Sequence, residues 1–241
     1  MDYGLTEQQE MIRDLCRQIV ADKIIPVREH YDESAEFPWD IVKVFAEADL
    51  FAIGIDEEYG GMGCSAMDTV IAVEELSKGC AGIALSLFGT GLGTFPILLF
   101  GSDEQKAKYL PDIAAGKRLS AFGLTEAGAG SDAGAIKTTA VKDGDEYVLN
   151  GTKQWITNGG EAEIYTVIAI TNRNKGPRGA SAFIVEKDTP GFTFGKKENK
   201  MGIRASATRE LIFQDCRIPK ENLIAREGMG FIVAMKTLDM S

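Results

Sequence analysis

The chain has few of the side chains that bind metals or cross-link secreted domains. Its 241 residues include a single histidine, His30, and four cysteines, none of which forms a CxxC pair. We therefore expect no zinc site and no disulfide framework, and reduced thiols favour a cytoplasmic location. The N-terminus lacks a basic segment followed by an apolar one, so no signal peptide is predicted.

Positive charge and long apolar runs are also scarce. The 26 lysines and arginines are outnumbered by 36 aspartates and glutamates, which gives a formal net charge of −10. This balance argues against nucleic acid as a partner, because a phosphate-binding surface needs the opposite sign. The apolar stretch 83–100 is interrupted by small polar residues, glycines and Pro96, so we expect no membrane span.

Helical signals dominate the first 117 residues of a chain that is 44% hydrophobic, a value typical of a soluble globular protein. Thr6 and Gln9 form a capping box, and apolar residues at helical spacing follow it. Further helices are predicted to start near Pro38, to cover 66–79 and 81–100, and to start at a second capping box, 102–105.

Strand and turn signals follow from about residue 118. Segments 142–146 and 149–152 have the chemistry of turns. Buried strands are predicted at 167–171, 182–185 and 211–213. A helical pattern returns at 231–239, and the sequence then stops at Ser241 without a cap. We predict an α+β fold with an all-α N-terminal domain (1–117), a barrel- or sandwich-like β domain (118–228), and the start of a C-terminal helical bundle (229–241).

Two short segments carry the chemistry. Residues 123–132 read Gly-Leu-Thr-Glu-Ala-Gly-Ala-Gly-Ser-Asp, and such a loop offers backbone N–H groups to anionic oxygens. Its spacing is not that of the dinucleotide-binding fingerprint, so a plain glycine-rich turn is the alternative. Residues 153–158 contain Trp155 and Thr157. The indole either packs in the core, which is the commoner role, or covers a planar ring.

These segments and three others in the same order resemble acyl-CoA dehydrogenases. The others are 58–63 (Glu-Tyr-Gly-Gly-Met-Gly), 200–206 (Lys-Met-Gly-Ile-Arg-Ala-Ser) and 217–222 (Arg-Ile-Pro-Lys-Glu-Asn). The likeness is to short-chain, butyryl-CoA-type members, and it covers their N-terminal and middle domains. It implies an FAD-dependent flavoprotein oxidoreductase of fatty acid β-oxidation. Such an enzyme converts an acyl-CoA to the trans-2-enoyl-CoA, passes electrons to an electron-transfer flavoprotein, and is a homotetramer when complete.

The resemblance also implies roles for individual residues. Those expected to bind the cofactor are Phe122, Leu124, Thr125, Gly130, Ser131, Trp155, Ile156 and Thr157. Thr125 would bond the pyrimidine edge of the flavin, and Thr157 would lie near its N5 atom. Those expected to contact the thioester substrate are Ser131, Asp239 and Met240. Glu198 falls where relatives carry a glutamate used in docking the electron acceptor, with a solvated loop charge as the alternative.

The resemblance supplies no catalytic base. In most relatives the base is a glutamate far along the C-terminal domain, and in some it lies at the position of Ser241, which cannot act as one. The arginine expected after Ser241, which helps to bind CoA, and the partner domain that holds the adenosine half of FAD are also missing. We therefore name no catalytic residue and expect no turnover by these 241 residues alone. The alternatives are a non-catalytic fragment, a subunit needing a second polypeptide, and an acyl-CoA oxidase.

The substrate is weakly constrained. Residues 81–95 would wall the acyl end and contain no arginine to pair with a second carboxylate. Because burying an unpaired carboxylate is costly, dicarboxylyl substrates are disfavoured. Phe88 would shorten the pocket, which favours short saturated chains.

Overall fold

Helices come first in the chain, and this computed structural model describes residues 4–240. They are α1 (Glu7–Ile19), α2 (Arg28–Ser34), α3 (Trp39–Glu47), α4 (Ala66–Phe100) and α5 (Asp103–Ala114). The predicted capping box starts α1: the Gln9 N–H donates to Thr6 Oγ1 (3.2 Å), and the Thr6 N–H donates to Gln9 Oε1 (3.1 Å). Both bonds satisfy donors that the first turn of a helix leaves without partners.

Helix α4 is broken at Cys80, whose backbone is extended (φ −162°, ψ 112°). The break falls between the two helices predicted over 66–79 and 81–100. By length and composition alone, α4 is able to cross a membrane, since its best 18-residue window has a mean hydropathy of 1.8, and 56% of that window is buried inside the protein. A core helix of a soluble protein meets the same criteria, and the absence of a membrane span stays a prediction.

Within residues 4–240, eight strands follow and join into one hydrogen-bonded sheet. They are β1 (Ser120–Gly123), β2 (Thr139–Asp143), β3 (Glu146–Thr157), β4 (Ile164–Ile170), β5 (Ala180–Glu186), β6 (Phe192–Phe194), β7 (Thr208–Pro219) and β8 (Leu223–Ile224). The strand order is β6-β7-β3-β2-β4-β5-β8, and β1 pairs in parallel with β4. Helix α6 (Gly230–Met240) follows the sheet. The predicted α+β class, with helices before a β domain, is confirmed.

One of the two predicted turns is wrong. The segment 142–146 does form a hairpin turn, in which Asp143 pairs with Glu146 and Gly144 has φ 61°. Residues 149–152 instead lie inside β3, where the register against β7 shifts between Leu149 and Gly151. Asn150 lies opposite two residues of β7, Gln214 and Asp215, so the bulged strand at this point is β7, where Asp215 has φ 48°.

The described residues pack as two compact units. The first comprises the chain up to Phe88 together with Pro111–Lys117 and Asn199–Ser206, and the second comprises Gly89–Leu110, Arg118–Glu198 and the chain from Ala207. In the second unit, every residue of β4 is buried. No single cut in the sequence separates the units, and the domain ranges 1–117, 118–228 and 229–241 stay a prediction.

Candidate functional site

A bulge in β3 changes the backbone conformation of Trp155 and leaves its side chain exposed. Lys153 pairs with Leu211 of β7, and the next pair is Ile156 with Arg209, so two residues of β3 lie opposite one of β7. Trp155 takes a left-handed backbone conformation (φ 57°), which is uncommon for a bulky residue. Its side chain is 56% exposed. Such strain is typically maintained where the surrounding structure uses it, so the bulge presents a flat aromatic surface. We call residues 153–157 the bulge segment.

A loop that leaves β1 faces this segment. We call residues 124–138 the cradle loop. The N–H of Gln154 donates to the carbonyl of Thr125 (2.8 Å), which joins the loop to the bulge segment. Within the described residues, the N–H groups of Gly130 and Ser131 donate to no other group. A Cβ atom at Gly130 would meet nothing within 4 Å, so a ligand has room to approach these two donors.

A buried ion pair lies behind the loop and the segment. Lys153 Nζ is 2.8 Å from Glu126 Oε1 and donates to the carbonyl of Leu124 at 3.0 Å. Burial lowers the pKa of Lys153 to about 8, although Glu126 acts in the opposite direction. Burial also opposes the charge of Glu126, but Lys153 and backbone donors outweigh it and hold the pKa of that carboxyl below its ordinary value. Both groups are therefore charged at neutral pH.

The loop and the segment line a cavity of about 610 Å³ in the second unit. Its lining residues are Gly89, Leu92, Phe122, Leu124, Thr125, Gly130, Ser131, Asp132, Ala133, Gly134, Trp155, Ile156, Thr157, Pro177, Phe231, Met235 and Leu238. Asp132 is the one residue of this set with an ionisable side chain. The cavity thus combines apolar walls, an aromatic plane, three hydroxyls from Thr125, Ser131 and Thr157, and open backbone donors.

All eight residues predicted to bind a cofactor line this one cavity, although they come from two segments about thirty positions apart. Asp239 and Met240, predicted to contact substrate, do not line it. Both are exposed, and Asp239 pairs with Lys236 at 3.1 Å. Substrate contact by Asp239 and Met240 stays a prediction, and so does cofactor binding by the eight residues that line the cavity. Ser241, the position compared with a catalytic base, lies outside the described residues.

Sequence reasoning missed the contribution of α6. Phe231, Met235 and Leu238 line the cavity, and their spacing of four and then three residues is that of one helix face. This periodicity was a usable signal. No sequence signal pointed to Pro177. It reaches the cavity from the β4–β5 loop, whose position depends on the sheet topology.

The lining fits a planar cofactor with phosphate groups. An exposed indole suits stacking on a flat ring, and the unpartnered N–H groups beside open glycine positions suit phosphate oxygens. The lining supplies binding groups and almost no proton-transfer groups, so reactive chemistry at this site needs a bound cofactor or further residues.

Comparisons with known proteins agree with this geometry. The family model "Acyl-CoA dehydrogenase, N-terminal domain" matches residues 6–117, and "Acyl-CoA dehydrogenase, middle domain" matches residues 121–216. The chain is 47% identical to the short-chain specific acyl-CoA dehydrogenase of Clostridium acetobutylicum, covering 99% of this chain and 63% of that protein. It therefore spans less than two thirds of the length of this relative.

Two solved structures are also similar. One is a chain from a structure described as "Electron transferring flavoprotein of Acidaminococcus fermentans: Towards a mechanism of flavin-based electron bifurcation", with a TM-score of 0.97 and 49% identity over 99% of this chain and 63% of that chain. The other is butyryl-CoA dehydrogenase from Megasphaera elsdenii, with a TM-score of 0.96 and 43% identity over 100% of this chain and 64% of that chain.

Proposed function

Because the chain belongs to the acyl-CoA dehydrogenase family, we propose that it forms the FAD- and thioester-binding part of an enzyme that oxidises acyl-CoA to trans-2-enoyl-CoA. The observation that carries the proposal is the single cavity that collects all eight residues expected to bind the cofactor. Family membership and the fit of the lining to a flat, phosphorylated group support it.

We propose the following division of work in the cavity. Trp155 stacks on the flavin ring, and Thr125 and Thr157 bond its polar edge and the region of N5. The N–H groups of Gly130 and Ser131 bind phosphate oxygens. When bound, FAD supplies the capacity to accept the β-hydride of the substrate. The apolar walls exclude water, which strengthens the polar contacts that orient the cofactor.

The substrate in this proposal is a short, saturated acyl-CoA. The names of the clostridial and Megasphaera relatives support this choice. Ser131 contacts the pantetheine chain, and Asp239 and Met240 are kept as substrate contacts. We also propose an electron-transfer flavoprotein as the electron acceptor, supported by the description of the Acidaminococcus structure, which names such a flavoprotein. The residue proposed for its docking is Glu198, which is half-buried and whose N–H donates to the carbonyl of Thr208 at 2.9 Å.

We further propose that these 241 residues bind ligands without completing the reaction. Abstraction of the substrate α-proton needs a base, and the described cavity lining offers Asp132 as its one ionisable side chain. The complete enzyme is proposed to be a cytoplasmic homotetramer. Acyl-CoA turnover by the purified 241-residue chain with an artificial electron acceptor would contradict the claim of inactivity and leave the cofactor assignment standing.

FAD binding by the purified chain tests the core of the proposal. We expect titration with FAD to quench tryptophan fluorescence and to shift the visible flavin spectrum. Trp155→Ala should weaken FAD binding about tenfold, since a stacked aromatic pair contributes about 0.5–1.5 kcal/mol beyond the area it buries and about 1.4 kcal/mol is a factor of ten. Trp39→Ala is the matched control, because Trp39 is the other of the two tryptophans, is also exposed (39%), and belongs to the first unit. Equal FAD affinity of the two variants would refute the stacking role.

A further inference from the structure

The Glu126–Lys153 pair is tied to both sides of the cavity yet lines neither. Lys153 belongs to the bulge segment, and its side chain is fully buried. Its ammonium holds the entry of the cradle loop through the carbonyl of Leu124 (3.0 Å) and the carboxylate of Glu126 (2.8 Å). One side chain therefore fixes where the loop leaves the sheet.

The same carboxylate holds the exit of the loop. Glu126 Oε2 accepts the N–H of Lys137 at 2.6 Å, and Oε1 accepts the N–H of Thr138 at 3.0 Å. The carboxylate thus closes the ten-residue span 127–136, which carries the open donors of Gly130 and Ser131. Closing a loop at one point reduces the conformations available to it.

A charged pair is an expensive way to build a core. Moving two ions out of water offsets much of their attraction, and apolar residues of similar volume stabilise a fold as well or better. Neither Glu126 nor Lys153 is among the residues that line the cavity, so ligand contact does not explain the pair. What the pair does, and an apolar pair cannot, is to bond three backbone groups of the cradle loop at fixed distances.

We propose that the buried Glu126–Lys153 pair is a positioning device that holds the cradle loop against the bulge segment and so sets the width of the cofactor cavity. The inference rests on the proposed function only in taking FAD as the ligand. The strained backbone of Trp155 fits this role, because a site binds its ligand better when its groups are held in place beforehand.

The test uses the 241-residue chain with Glu126→Gln and Lys153→Met combined. Removing both charges leaves no unpaired ion, and the glutamine amide introduced by Glu126→Gln still offers an oxygen to the loop. We expect the melting temperature to stay within about 5 °C of wild type. Hydrogen exchange of the 127–136 amides should rise about tenfold, and FAD should bind about tenfold more weakly with an altered visible spectrum. If the double variant does not fold, the same measurements are made on Glu126→Gln alone.

The matched control is Glu75→Gln, which removes a buried carboxylate with cationic partners in the first unit. It should leave loop exchange, FAD affinity and the flavin spectrum unchanged. Wild-type exchange and wild-type FAD affinity in the double variant would overturn the proposal. If the wild-type chain binds no FAD, the cofactor assignment fails, and loop exchange alone decides: faster exchange supports positioning, and unchanged exchange refutes it.

Discussion

Two carboxylates, Glu126 and Glu75, are almost equally buried but have different partners. The side chains of Glu126 and Glu75 are 9% and 8% exposed. Glu75 bonds Arg17 at 3.1 Å and Lys78 at 2.9 Å, and both of these cations keep more than half of their side-chain surface in water. Lys153, the partner of Glu126, has no exposed surface. The Glu75 cluster is therefore a half-solvated surface network, whereas Glu126 and Lys153 form a pair inside the protein.

The pKa values of the two lysines show what this difference means. Hydrogen bonds to Glu75 and Glu74 raise the pKa of Lys78 above its ordinary value. Burial lowers the pKa of Lys153 to about 8, against the attraction of Glu126. Around Glu75, water hydrates the cations, and the ion pairs add only a little to the stability of the fold. Around Glu126, only protein groups replace the water, so every bond in the cluster is needed.

The largest expected effect comes from breaking the inner pair on one side. Lys153→Met leaves Glu126 as an uncompensated buried charge, and we expect the second unit to lose about 3–5 kcal/mol of unfolding free energy. The matched variant is Arg17→Met, which leaves Glu75 with Lys78 and should cost about 1 kcal/mol or less. Urea unfolding of both variants measures the difference. Equal losses would show that the two clusters do not differ in the way described.

A second expected difference is in titration. Following the lysine ε-carbons by NMR from pH 6 to 11, we expect Lys153 to lose its proton near pH 8 and Lys78 to keep its proton past pH 10.5. Since the unfolded chain binds the Lys153 proton more tightly, that group's contribution to the unfolding free energy rises between pH 8 and 10.5. A Lys153 resonance that titrates with the exposed lysines would contradict its burial.

Much of this site could be predicted from the sequence, because short motifs carry both the resemblance and the local hydrogen bonds. The glycine-rich segment and Trp155 each had a structural explanation as good as a functional one, and it was the resemblance, carried by several short motifs in order, that named eight residues for the cofactor. All eight line one cavity. The capping box at Thr6 was readable because its two bonds span only three residues.

What the sequence did not reveal depends on pairing between distant segments. The bulge at Trp155 exists because β3 pairs with β7, about fifty residues away in the sequence, and β3 has one more residue than β7 between two successive pairs. Nor did Lys153 stand out, since a lysine in a strand is usually solvated and only the packed sheet shows that it is buried. The turn expected at 149–152 is wrong for the same reason, because the segment pairs with β7, whose bulge lies opposite Asn150.

A smaller effect is expected from Glu75 itself. The Arg17 hydrogen bond, with Lys78, holds the pKa of Glu75 below its ordinary value of 4.5 against the opposing effect of burial. Its contribution is therefore present above pH 4.5 and is lost as the pH falls through the lowered value. We expect Glu75→Gln to cost about 1 kcal/mol at pH 7. Urea unfolding at several pH values should show the variant and the wild type converging as the pH falls below the lowered pKa of Glu75, and a constant difference would mean that the charge is not responsible.

The smallest expected effect is a difference between the two clusters in how salt changes the unfolding free energy. Exposed charges are screened within about 3 Å at 1 M ionic strength, whereas a buried pair is screened much less. We expect 1 M NaCl to remove most of the difference in unfolding free energy between wild type and Arg17→Met, a change of a few tenths of a kcal/mol. The difference between wild type and Lys153→Met should persist in the same salt, since no ion reaches a side chain with no exposed surface. Equal salt sensitivity in both pairs would mean that water enters the inner cluster, and the cradle loop would then be held less firmly than the buried pair implies.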